Sequence, residues 1–274
     1  MPTTIPPMDA GLRERVDGID WYHTFDLPGG VVTPGIFDHR AMAAKIPFPD
    51  LTGKRCLDVA SSDGFWAFEM ARRGASSVLS VDLDDASLQD WQGPASSDRG
   101  AGTGRAHRAF EIVRDATGLD VDRRDGSVYD LDPSDIGTFD FVFMGNILLH
   151  LSDPTRALRA VHHVTGGTFL SLEKVLLGLS VLRPRTPTAR LADAEAGTWW
   201  TPNMAAHRQL LRAAGFAIDR AGGPLLQPMG AHLDAWPHDL TSVRTFGIRD
   251  SLAYWLFIRR FGAPTSWILA TPIR

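Results

Sequence analysis

The run Leu57-Asp58-Val59-Ala60-Ser61-Ser62-Asp63-Gly64 constrains this chain more than any other stretch. Residues 55–59 read as a short apolar strand, the small residues that follow as a tight turn, and 65–73 as a helix closed by Gly74. The next strand, 77–82, ends on Asp82, 18 positions after Gly64. A small-residue turn at a helix start, followed by an acid ending the next strand, is how an α/β sheet holds a nucleoside. Small residues admit the ligand to the backbone, the helix start supplies N–H groups, and the carboxylate accepts from ribose hydroxyls.

The same alternation continues downstream. Phe110, Val113 and Ala116 give 106–117 helical spacing, and 139–144 (FDFVFM) is a third strand. Ser152-Asp153-Pro154 starts a helix, with Asp153 as the cap and Pro154 where a missing N–H costs nothing. Strand 168–172 and helix 202–214, ended by Gly215, complete the pattern. Strands alternating with helices predict a mostly parallel sheet with helices on both faces. The apolar tail, 266–272, reads as a late strand that pairs back antiparallel. Residues 176–200 and 224–260 break the alternation and are expected to cover the substrate, while 93–104 reads as a flexible connection. The division expected is a leading cap over 1–50 and one α/β domain over 51–274.

Composition removes several classes. With 44% hydrophobic and 22% charged residues among 274, the chain has ordinary globular usage. No apolar run approaches the roughly 18 residues of a membrane span. A net charge of −4 argues against a broad nucleic-acid face. The single cysteine, Cys56, excludes an internal disulfide network and a Cys-based zinc site. The first residues lack the basic and apolar parts of a signal peptide, so a cytoplasmic location is expected.

The loop chemistry favours one nucleotide. A dinucleotide loop wants three glycines around the pyrophosphate, and here Ala60 and Ser62 occupy two of those places. Asp63 beside the loop would repel phosphate, whereas a cofactor carrying a sulfonium and an ammonium would not be repelled. The reading is S-adenosylmethionine rather than NAD.

The block Gly53-Lys54-Arg55-Cys56-Leu57-Asp58, then Asp63-Gly64-Phe65-Trp66-Ala67-Phe68-Glu69-Met70 and Arg73-Gly74-Ala75, resembles the class I S-adenosylmethionine-dependent methyltransferases. Trp21-Tyr22-His23-Thr24, Thr33-Pro34-Gly35, Phe139 to Gly145, Leu149-His150-Leu151 and Asp153-Pro154 narrow it to the branch related to the bacterial tRNA wobble-uridine (carboxy)methyltransferases. The resemblance runs from about Trp21 to Gly215 and fades beyond, and it implies a Rossmann-like sheet with a substrate-covering insertion. It also implies that Asp58, Ala60 and Gly64 line the methionine moiety, with Ser61 and Gly145 in the same cofactor set. Asp82 would hold the ribose, and Leu83, Ser127 and Val128 would flank the adenine. Many relatives have an acid where Ser127 falls, so a carboxylate contact to the adenine amine is not expected.

Methyl transfer to a hydroxyl needs an aligned acceptor and a base for its proton. His150, after the third strand named above, lies where ligands meet such sheets, and a histidine suits base work at neutral pH. The competing reading is a histidine that positions the next helix. His23 is the second candidate, with pocket closure as its alternative. Trp21, Tyr22, Asn146, Trp199 and Trp200 form the expected acceptor wall, against the plainer reading that tryptophans are packing residues. Arg183, Arg185 and Arg190 could hold an acidic acceptor or form a solvated face. The adjacent pairs Asp84-Asp85 and His162-His163 lack metal-ligand spacing, so no metal is assigned.

These features point first to O-methylation of a small-molecule hydroxyl, such as a sugar or secondary metabolite. The alternatives are tRNA wobble modification and non-catalytic cofactor binding. Acidic balance and the roughly fifty residues before the loop, shorter than in the tRNA enzymes, disfavour tRNA. A carboxylated cofactor would need a cation and a hydroxyl near the transferring group, which the sequence does not place. The expected partner is a small-molecule acceptor, with no nucleic acid and no membrane, and a homodimer is allowed.

Overall fold

A computed structural model describes residues 10–90, 104–192, 198–231 and 259–274. The leading segment contains α1 (Ala10–Asp17), a short hairpin of β1 (Asp26–Leu27) and β2 (Val31–Val32), and α2 (Arg40–Ala43). The alternating part follows as β3 (Arg55–Val59), α3 (Phe65–Arg72), β4 (Ser77–Asp82), α4 (Arg105–Thr117), β5 (Asp122–Asp125), α5 (Pro133–Ile136), β6 (Phe139–Gly145), α6 (Pro154–Val164) and β7 (Thr165–Lys174). Then come α7 (Leu177–Leu182), β8 (Ala189–Leu191), β9 (Trp200–Pro202), α8 (Met204–Ala213), β10 (Phe216–Gln227) and β11 (Ala263–Pro272).

Seven strands form one sheet in the order β10-β11-β7-β6-β3-β4-β5. Strands β3 to β7 run parallel, and β11 inserts antiparallel between β7 and β10. The late antiparallel strand expected from the tail is therefore present. The sheet centre is apolar on both faces, as a parallel sheet covered by helices requires. On one face Cys56, Phe141 and Phe143 pack with Phe65, Trp66 and Phe68 of α3 and Phe110 of α4. On the other, Leu57, Val59, Val142 and Met144 meet Leu158, Val161 and Val164 of α6 and Leu211 of α8. Leu12, Val16, Trp21 and Phe25 of the leading segment share the first of these cores.

Several boundaries moved for local reasons. Pro202 does not open α8, because it closes β9 opposite Ala189, and Asn203 caps the helix by accepting the Ala206 N–H at 2.8 Å. The strand expected over 168–172 lengthens to Thr165–Lys174, because β11 pairs along it as far as Lys174. The cap at Asp153 is as expected, accepting the Arg156 N–H at 2.9 Å. Sequence pattern missed β5, whose residues are Asp-Arg-Arg-Asp on the sheet edge, and β10, interrupted by Gly222-Gly223-Pro224. The stretch 176–200 contains α7 and β8, and 224–227 belong to β10. Most of the expected 93–104 connection, residues 193–197 and most of the late excursion, including Trp236 and Trp255, lie outside the described residues. Among the described residues no helix is long and apolar enough to cross a membrane.

The glycine opening α3 is dictated by packing as well as conformation. Gly64 has φ 86°, and a Cβ there would fall 2.6 Å from the Phe110 ring. Gly64→Ala should cost about 2–4 kcal/mol, from left-handed backbone and core overpacking together. Urea unfolding of Gly64→Ala alone and with Phe110→Leu checks this, the second change recovering the overpacking part only.

Candidate cofactor and acceptor site

The carboxyl ends of β3, β4, β6 and β7 meet at one edge, where an open α/β sheet binds ligands. The loop after β3 reaches its shape without glycine at two positions, since Ala60 has φ 58° and Ser62 φ 52°. Such backbone costs a non-glycine residue roughly 1–2 kcal/mol, and several hydrogen bonds hold it in place. The Ala60 N–H donates to Val81 O at 2.8 Å, and the Ser62 N–H donates to the Asp82 carboxylate. From beneath, Arg123 donates to Ser62 O at 2.8 Å and pairs with Asp84 at 2.8 Å. Arg123, on the edge strand β5, was not among the residues expected in the site. Nothing in the Asp-Arg-Arg-Asp sequence of that strand marks it, because the burial of its side chain arises only from packing.

Asp63 does not face the cofactor side of the loop. Its carboxylate is buried and accepts the backbone N–H groups of Tyr22 (3.0 Å) and His23 (2.8 Å), while the other oxygen meets His23 Nδ1. Burial pushes the Asp63 carboxyl up, but the charge and hydrogen bonds of His23 pull harder, so its pKa is lowered. The acid read as a guard against phosphate instead fastens the leading segment onto the loop. Asp82 remains on the site side, with one oxygen taken by Ser62 and the other by the Leu83 N–H at 2.7 Å. Burial raises its pKa against the opposing influence of Arg123.

Asp58 supplies the test of cofactor fit. Its side chain is buried, its pKa is raised well above the usual range chiefly by desolvation, and Oδ2 has no hydrogen-bond partner. A cationic group, such as the ammonium of S-adenosylmethionine, provides the partner such a carboxylate lacks. The Ser127 hydroxyl accepts from the Tyr129 N–H at 3.2 Å, and Val128 is buried beside it. Ser61 and Gly64 serve the loop from within: Ser61 is buried with its hydroxyl 2.5 Å from that of Ser80, and Gly64 faces Phe110.

The turn after β6 carries Gly145, Asn146 and His150. Asn146 adopts φ 55°, and its amide donates to Gln227 at 2.8 Å. Residues Leu148–His150 form a 3-10 turn held from two sides. Glu173, buried at the end of β7, accepts the N–H groups of Ile147 and Leu148, each at 3.3 Å. Desolvation pushes its pKa up to about 8. Opposite, the Trp200 indole donates to Leu148 O (3.1 Å) and Leu151 O (3.2 Å), and the Trp199 backbone donates to Leu149 O at 2.8 Å. The Trp199 indole donates to Asp90 O at 2.7 Å. Both tryptophans therefore brace the histidine turn. Trp21 is wholly buried, with its indole on Val16 O at 2.9 Å, and is corrected from acceptor wall to core. Tyr22 remains partly exposed at the site, its hydroxyl pKa raised by burial and by Asp63.

Comparison with known proteins agrees with this geometry. A family described as a methyltransferase domain matches residues 57–170. Residues 57–170 are thus similar to a methyltransferase domain. The chain's seven-stranded sheet has the strand arrangement of the solved methyltransferase structures it resembles. Ubiquinone biosynthesis O-methyltransferase from Neisseria meningitidis is 33% identical over 111 residues, 40% of this chain and 39% of that protein. tRNA U34 carboxymethyltransferase from Pseudomonas aeruginosa is 27% identical over 216 residues, 78% of this chain and 61% of that protein. The chain thus spans about two-fifths to three-fifths of the length of these relatives. The N-terminal domain of EvdMO1, solved in the presence of SAH and D-fucose, matches with TM-score 0.57 at 16% identity, covering 98% of both chains, and shows the shared fold.

Two variants separate the roles of the acids. Asp63→Asn should destabilise the protein by about 3 kcal/mol at neutral pH, as breaking a buried pair does. Because the folded pKa of Asp63 lies below its ordinary 3.8, the stability it gives is full above that value and is lost as pH falls through the folded pKa. The difference between wild type and variant in thermal melts should therefore shrink only in that acid range. Asp82→Ala should weaken SAH binding by roughly 10- to 100-fold, the loss of charge-assisted hydrogen bonds. Calorimetry showing unchanged affinity would remove Asp82 from the ribose site.

Proposed function

We propose that the chain methylates a hydroxyl group of a small-molecule acceptor, with His150 as the general base. S-adenosylmethionine supplies a methyl group on a positively charged sulfur. In this reading Asp82 holds the ribose and Asp58 the ammonium. Leu83 and Val128 flank the adenine, and the backbone of the loop and of Gly145 allows close approach. His150 takes the acceptor's proton on a ring nitrogen and passes it to solvent, because it is half-buried rather than enclosed. The observation that carries the reading is the brace around its turn. Glu173 on the N–H side and the tryptophan pair on the carbonyl side fix a histidine at the ligand edge of the sheet. A base must be held within hydrogen-bond reach of its proton, and a fixed turn does this.

A second assignment of the base is His23, favoured by the Asp63 carboxylate on its Nδ1, a pairing that orients an imidazole. Its 4% exposure favours the closing role instead. A second reading of the substrate is tRNA, favoured by similarity to the tRNA U34 carboxymethyltransferases over 78% of this chain. The chain's net charge of −4 weighs against it.

His150→Ala should lower kcat by about 10² to 10⁴ while leaving SAH affinity within a factor of two, the signature of a base facing the acceptor. His150→Gln should fail nearly as badly, and recovery by Gln would make the residue a positioning one. Normal turnover in His150→Ala with loss in His23→Gln moves the base to His23. A salt-sensitive gel shift with tRNA, and methyl transfer to it, would replace the small-molecule reading.

A further inference from the structure

The described residues contain few buried polar side-chain atoms without a hydrogen-bond partner, and three of them belong to His39 and Asn146. His39 was not singled out in the sequence. It is 2% exposed, and neither Nδ1 nor Nε2 is in hydrogen-bond geometry with any protein atom. Asn146 Oδ1 is likewise buried and unpartnered. Each such group costs roughly 1–3 kcal/mol if left unsatisfied, so natural proteins rarely keep one without a use.

The orphaned atoms belong to one wall. Gln227, at the end of β10, accepts from the Asn146 amide at 2.8 Å, and its side-chain oxygen beside the His39 ring favours the protonated imidazole, against the larger effect of burial. The backbone joins the same parts: Asp38 N–H donates to Pro228 O at 3.1 Å, and Phe37 bridges Met229. The His39 ring lies 4.7 Å from that of His23, which Asp63 fastens to the cofactor loop. Asn146 stands two residues beyond Met144, the partner of Val59, and so beside the cofactor loop at the same sheet edge. The wall therefore borders both the loop and the turn of His150.

We propose that His39, Asn146 and Gln227 form the acceptor pocket and take an uncharged, polyhydroxylated group, with adjacent hydroxyls of a sugar-like ring as the fitting chemistry. This deepens the small-molecule reading above and rests on it. A neutral imidazole presents one donor and one acceptor, and the amide carbonyl of Asn146 presents an acceptor. Adjacent hydroxyls, each able to donate and accept, match that set. Burial and the neighbouring His23 hold the His39 pKa well below its usual value, so the ring offers no positive charge. An anionic acceptor would meet a carbonyl oxygen here, with the Glu173 carboxyl close behind the same turn and none of the three pocket residues cationic.

The test uses the whole chain saturated with SAH and labelled with ¹⁵N in its histidine rings. The probes are methyl glycosides, with catechol as a hydroxylated aromatic lacking a sugar ring. Methyl glycosides should shift the His39 ring resonances. His39→Phe and Asn146→Gly, the latter tolerant of the left-handed backbone, should each weaken glycoside binding about 10-fold, the loss of one to two hydrogen bonds. SAH affinity and melting temperature should stay near wild type. The pocket assignment is overturned if glycosides leave those resonances unmoved, if both variants bind glycosides as wild type does, or if SAH affinity falls in parallel. Turnover separates this from the broader reading. Catechol methylated without glycoside binding removes the pocket and keeps the methyltransferase reading, whereas glycoside binding with no hydroxyl methylated by the wild type does the reverse.

Discussion

The contact on which the site depends is the buried pair of Asp63 and His23. Asp63 belongs to the loop that follows the first strand of the parallel sheet, and His23 to a segment with almost no regular structure. One carboxylate receives an imidazole and two successive backbone N–H groups, so it fixes both the position and the direction of the incoming chain. Around that point the rings of Tyr22, Phe25, His39 and Phe65 pack within about 4.7–6.4 Å of His23. Without the pair, a desolvated carboxylate would be left alone in a hydrophobic environment, which is costlier than never having built it. The wall carrying Tyr22 and His39 is thus tied to the same eight residues that shape the cofactor edge.

That loop in turn is strained where glycine is absent and is held by its neighbours. Ala60 and Ser62 keep left-handed backbone because Val81, Asp82 and Arg123 accept from or donate to it on both sides. Arg123 lies under the loop with its guanidinium over the Phe110 ring at 5.4 Å, and it moderates the burial of Asp58 and Asp82. Phe110 is also the ring that leaves no room for a side chain at Gly64. A single aromatic residue of α4 therefore joins the helix start, the buried cation and the loop. The turn of His150, at the same edge, is built on the same plan, with Glu173 and Trp200 gripping it by its backbone. In both places side chains position the backbone, and of these only Asp82 is also assigned to the ligand.

What the sequence determined by itself was whatever depends on local periodicity and local chemistry. Strands 55–59 and 77–82, the helix after Gly64, the Asp153 cap and the antiparallel tail strand were legible because apolar spacing, caps and turn residues act over a few positions. The sheet edge proposed for the cofactor was legible as structure for the same reason, since Asp58, the small-residue turn and Asp82 stand in fixed order along two adjacent strands. Even there, local reading credited Asp63 with repelling phosphate, because sequence order does not tell which way a side chain turns. The edge strand Asp122–Asp125 was silent, its residues being chosen for exposure and for one buried cation rather than for alternation.

Only the tertiary structure decided the rest. Trp21 went to the core, Trp200 to the histidine turn and the Trp199 indole to Asp90, because indole N–H groups sought carbonyl oxygens brought near by packing. His39, Asn146 and Gln227 lie 107 and 81 residues apart in succession and share no motif, yet one wall holds them. Their significance is that three buried polar atoms lack partners, and that property exists only once the chain has folded and excluded water. Sequence specifies which groups can donate or accept. Burial decides which of them are left needing a ligand.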